Sequence, residues 1–114
     1  MKATDTTTLD RDQLRDITLD DEALMREILG VLIDDTTRQM VLLQAAIQDE
    51  DIERCIRRAH YSKGACANVG ASSAAALLKD IESQAANRDF PQCQVALTQL
   101  GREVDLLRTE AISL

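Results

Sequence analysis

An all-α chain folded as an antiparallel up-down four-helix bundle, with a short extra N-terminal helix, is what this sequence predicts. Three observations carry that expectation. One proline and four glycines are all that punctuate 114 residues, so little interrupts helix propagation. Aromatics are two, Tyr61 and Phe90, while Ala, Leu, Gln, Glu and Arg are plentiful. Apolar residues recur at three- and four-residue spacing in four long segments, and the short breaks between them make neighbouring helices antiparallel.

The elements follow in order. Residues 1–8 are polar and Thr-rich, and they are expected to form a mobile tail ahead of a domain spanning 9–114. A short helix is predicted around Asp10–Asp16, packing through Leu9, Leu14 and Ile17. A long pattern then runs from about Leu19 to Gln48. Thr18 suits its N-cap, with Asp21 three residues on, and the acidic start suits the helix dipole. Leu24, Ile28, Leu32, Gln39, Leu43 and Ile47 form its stripe, joined by Met25, Leu29, Met40 and Ala46. Such a length invites a bend near Asp34–Thr37, and Gly30 either weakens the helix or admits a neighbour closely. Asp49 or Asp51 caps a helix over about 52–68, with Ile52, Cys55, Ile56, Ala59, Cys66 and Val69 inward and Gly70 as its C-terminal cap. Ser72 or Ser73 starts the next, to about Ala86, with Ala74, Leu77, Leu78, Ile81 and Ala85 inward. Asp89 followed by Pro91 starts the last, about 91–112, whose stripe is Leu97, Leu100, Val104, Leu107 and Ala111. Each helix needs only one apolar stripe, so a monomer is the default expectation.

Charge and motifs exclude several function classes. Twenty acidic against thirteen basic residues give a net charge of −7, which disfavours nucleic acid and anionic membrane as partners. Neither GxGxxG nor GxxxxGK[ST] occurs. Cys55, Cys66 and Cys93 are odd in number and form no CxxC, so buried reduced thiols are expected rather than disulfides or a zinc site. No apolar run approaches about 18 residues, and the first ten residues lack the apolar core of a signal peptide. A cytoplasmic location is the expectation. The initial Met and polar tail favour a free-standing protein over a domain of a larger kinase.

The chain has a single histidine, His60. It sits one residue, roughly 100°, around the helix from inward Ala59, at the edge of the buried face or beyond it. Lys63 and Gly64 follow at i+3 and i+4 and share its surface; Arg57 lies one turn earlier and Ala67 one turn after Gly64. A mid-helix glycine costs about 1 kcal/mol relative to alanine. Its missing side chain leaves room for another protein beside a protruding imidazole, unless it marks a helix–helix contact. Lys63 puts positive charge where an anion on the imidazole would lie, unless it is merely solvated. A neutral imidazole nitrogen is a usable nucleophile, and lysine one turn away offsets the charge of a phosphoryl group.

Ala59-His60-Tyr61-Ser62-Lys63-Gly64, followed by Gly70-Ala71, closely resembles the A-H-x-L-K-G and G-A signature of histidine-containing phosphotransfer (HPt) domains. The resemblance extends over about 9–112 and includes the long preceding helix and the Leu77-Leu78…Ile81-Glu82 pattern. It implies a bundle with an exposed, phosphorylatable His60, with Lys63 holding the phosphoryl group or meeting the partner's acidic site, and with Gly64 giving clearance. In some members a polar residue of the next helix bonds the histidine; Glu82 is the nearest equivalent, ahead of Gln84. Ser62 departs from the usual leucine. That position packs inward, so lower local stability is expected, with its hydroxyl bonding back to a carbonyl one turn earlier.

The role so implied is a phosphorelay intermediate rather than an enzyme. Its partners are receiver domains and a hybrid or sensor histidine kinase. The chain needs no cofactor of its own, because the receiver brings magnesium. Tyr61 and Ala67 are candidate docking residues, with charges at the rim. Two other readings compete: a docking module without phosphotransfer, and a metal or redox site joining His60 to Cys55 or Cys66, whose spacings put them on different helix faces.

Overall fold

The computed structural model describes residues 7–114. Five helices occur: α1 (Arg11–Ile17), α2 (Glu22–Gln48), α3 (Ile52–Val69), α4 (Ser72–Ala86) and α5 (Phe90–Ile112). The four long helices close a ring. Each packs on its sequence neighbour, α5 returns to α2, and α1 lies against α2 and α3. The bundle is all-helical among the described residues, as the apolar spacing requires.

Local chemistry sets most boundaries. Asp10, Asp21, Asp51 and Asp89 cap α1, α2, α3 and α5, each accepting from the main-chain N–H three residues on. Helix α4 has Ala71 at this place and no side-chain cap. The Ser73 N–H bonds instead to the Thr7 carbonyl at 2.8 Å. Gly70 ends α3 in the left-handed region at φ 96°, as expected. A Cβ there would lie 2.8 Å from the Asp10 carbonyl oxygen, so glycine also admits the N-terminal segment. Gln13 Nε2 then donates to the carbonyls of Ala67 at 2.6 Å and Asn68 at 3.2 Å, adding a donor at the end of α3 where main-chain partners run out.

Several expectations are corrected. Helix α2 starts at Glu22 on Asp21, not at Leu19 on Thr18. The buried Thr18 hydroxyl donates to the Leu14 carbonyl at 2.8 Å and closes α1, and Leu19 and Asp20 take positive φ, which no helix accommodates. Ile17 does not pack inward; it is 48% exposed. Helix α2 is continuous through Asp34–Thr37. Gly30 admits no neighbour, since a Cβ there meets nothing within 4 Å; the close approach in α2 is instead to Gly101 of α5, whose Cβ would lie 3.4 Å from Met40 Cε. Of the expected tail, residues 1–6 lie outside the described residues. Thr7 and Thr8 are held, Thr8 by a 3.1 Å hydrogen bond from its hydroxyl to Glu103.

The core runs through all four long helices, with Leu29, Leu43, Leu78, Ile81, Leu100 and Leu107 among its most buried members. The three thiols are free and buried within it. Burial pushes them all up, Cys93 to about 11. They stay protonated at neutral pH and are poor nucleophiles.

Ser62 is buried as expected, but its hydroxyl finds no hydrogen-bond partner among the described residues, so the back-bond to the preceding turn does not form. An unpaired buried hydroxyl costs about 1–3 kcal/mol. Ser62→Ala is therefore expected to stabilise the bundle by about 1 kcal/mol, measured by urea unfolding. Unchanged or lower stability would mean that the hydroxyl is satisfied in solution.

Candidate functional site

Helix α3 buries Cys55, Ala59, Ser62 and Cys66 in the core. That stripe aims His60 outward, and its side chain is 71% exposed. On one flank stands α4, which brings in Glu82, a residue whose side chain is mostly buried. Ala74, Leu78, Ile81 and Ala85 bury the core face of α4 and set Glu82 at its margin toward α3.

The Glu82 carboxylate spans two partners. His60 Nδ1 lies 3.3 Å from Oε2, and Lys63 Nζ lies 2.6 Å from Oε1. The lysine contact is an ion pair approached off the hydrogen-bonding direction, for Oε1 has no aligned donor. An ionised carboxylate can only accept, so the bond to His60 requires a proton on Nδ1. In the neutral ring this leaves the lone pair on Nε2, the nitrogen that Glu82 does not engage.

Glu82 is thus brought to His60, and Gln84 is not; Gln84 lines a groove between α4 and α5 with Gln92 and Val95. Lys63 joins the cluster through Glu82. Arg57 is exposed and forms no ion pair among the described residues. Gly64 faces open space: a Cβ there meets nothing within 4 Å, so the helix–helix contact considered for it is absent. Ala67 is exposed one turn beyond. Cys55 and Cys66 lie in the core while His60 points away from it, which separates them as ligands.

Tyr61, 55% exposed, marks the other flank of His60. It lines a groove of about 610 Å³ between α2 and α3 with Ile28, Val31, Leu32, Ala65 and Val69; Glu27, Asp35 and Arg38 add charge to its lining. The α2 side of this groove was missed in the sequence. Its signal was Val31, an apolar residue outside the inward stripe of α2 that the fold leaves exposed.

The Hpt domain family model matches residues 27–110. No curated protein sequence matches the chain. Among solved structures, the chain is similar to histidine-containing phosphotransfer protein B from Pseudomonas aeruginosa PAO1. The identity is 24%, the TM-score 0.85, and the match covers 96% of this chain and 95% of that one. This likeness supports the bundle architecture. An all-helical bundle with an outward histidine on its second long helix, matched by the family model over most of its length, belongs to the Hpt domains, the histidine phosphotransfer modules of phosphorelays.

Proposed function

We propose that His60 is the phosphoryl carrier, accepting from the aspartyl phosphate of one receiver domain and delivering to the aspartate of another. The observation that carries this reading is the outward imidazole with Nδ1 held by Glu82. The Nε2 lone pair attacks phosphorus in line. The N–P bond forms as the P–O bond to aspartate breaks, and its electron pair leaves on the aspartate carboxylate. The proton on Nδ1 stays in its bond to Glu82, so no proton need move. Return to a second aspartate is the reverse. Lys63 pairs with the incoming phosphoryl oxygens, and the receiver supplies magnesium, so the work of this chain is positioning and charge neutralisation. It turns nothing over alone. A hybrid or sensor histidine kinase stands upstream of the first receiver, and Tyr61, Gly64 and Ala67 form the near surface against which receivers dock.

The test is transfer of label from phosphorylated receiver domains, with magnesium, to the purified chain. Acid-labile, alkali-stable label supports the reading. No label from several receivers onto a chain shown folded by circular dichroism makes it a docking module.

Glu82 has its own expected result. In Glu82→Ala the ring loses its Nδ1 acceptor and reverts toward the Nε2–H tautomer, visible in imidazole ¹⁵N shifts. Transfer slows on the order of ten- to a hundredfold. An unchanged tautomer would show that Glu82 does not orient His60.

A further inference from the structure

Helix α3, which carries His60, is the one helix among the described residues with a positive balance. Arg54, Arg57, Arg58 and Lys63 stand against Glu53 alone, which makes it +3. The other four helices are neutral or acidic by the same count. Taking +3 from the net −7 of the chain leaves −10 for everything else. Two of the α3 cations are engaged within the chain: Arg54 with Asp49 at 3.1 Å, and Lys63 with Glu82 at 2.6 Å. Arg57 and Arg58 form no ion pair among the described residues, although Glu53 stands one helical turn before Arg57. Arg57 is exposed and lies one turn before His60 on the same face. Arg58 lies one turn before Tyr61, on the flank toward α2.

We propose that Arg57 and Arg58 form a basic rim that selects receiver domains with acidic surroundings at their phosphoaspartate and speeds their encounter with His60. The inference rests on the phosphocarrier reading of His60. Charge complementarity names the partner. A receiver holds its magnesium through carboxylates, since that ion takes oxygen ligands, so the surface it turns toward His60 is acidic at its centre. The acidic remainder of this chain repels such a surface and α3 attracts it, which orients the approach. Neither arginine bonds His60 or Glu82, so their place is the rim and not the reacting centre. Charges at a rim act on association rate and its salt dependence, and like charges brought together penalise the wrong partner. A receiver with a basic rim is therefore disfavoured.

The test is the rate of label transfer to the chain as the concentration of a phosphorylated, acidic-rimmed receiver is raised, at low and high salt. Arg57→Glu is expected to raise the half-saturating concentration about tenfold at ~20 mM salt and about twofold at ~500 mM, with the saturating rate unchanged. Arg58→Glu should act in the same direction. Arg102→Glu makes the same change in net charge at an exposed place on α5, and should leave the half-saturating concentration within about twofold of the parent. Circular dichroism confirms that each variant folds. Equal shifts in Arg57→Glu and Arg102→Glu would trace the effect to net charge and overturn the proposal. An unchanged half-saturating concentration in both α3 variants would overturn it, as would a fall in the saturating rate alone, which would move Arg57 to the reacting centre. A parent chain that no receiver labels defeats the phosphocarrier reading itself and the rim with it, a result distinct from the others.

Discussion

His60→Gln takes no label from a phosphorylated receiver under conditions where the parent chain is labelled. Glutamine has no lone pair on a basic nitrogen, so the N–P bond cannot form. The fold should survive the change. The side chain is exposed, and its one polar partner among the described residues, Glu82, keeps Lys63 at 2.6 Å. Unfolding midpoints of parent and variant are therefore expected to agree within about 0.5 kcal/mol, the usual range for surface changes. Equal labelling of both chains would place the phosphoryl group elsewhere and end the assignment.

Gly64→Ala is expected to move stability and transfer in opposite directions. A Cβ at Gly64 meets nothing within 4 Å, and alanine is the better helix former by about 1 kcal/mol. The variant should be more stable by that amount in urea. The new methyl stands one turn from His60, on the surface a receiver must approach. Transfer should slow about tenfold, and in Gly64→Leu on the order of a hundredfold, because small displacements at the reacting atoms are costly. The helix is intrinsically weaker with glycine, and no neighbour among the described residues requires it. Full transfer by the leucine variant would show that no partner comes close there.

What was legible in the sequence was local or periodic. Asp89 and Gly70 were readable as caps, and Asp51 as one of two candidates with Asp49, because their signals act within one helical turn. The start of α2 was misplaced because Thr18 and Asp21 both carry capping side chains. The choice went to Asp21 when Thr18 spent its hydroxyl on the Leu14 carbonyl. The inward setting of Ser62 came from the family resemblance, not from the apolar stripe, and whether its hydroxyl finds a partner depends on the atoms around it. Gly30 and Gly64 look alike as helical glycines, and neither meets a neighbour; Gly101 does, through Met40.

By itself the sequence determined the number and order of the helices, their inward stripes, and a setting of His60 at the edge of the buried face or beyond it, with Lys63 and Gly64 on its face. All of these follow from helical periodicity, which needs no knowledge of neighbours. The tertiary structure alone decided that one Glu82 carboxylate serves both His60 and Lys63, that Gln84 turns to α5, and that Tyr61 borders a groove with α2. Those features join residues on different helices. They depend on how the ridges of one helix seat in the grooves of the next, and no single segment encodes that register.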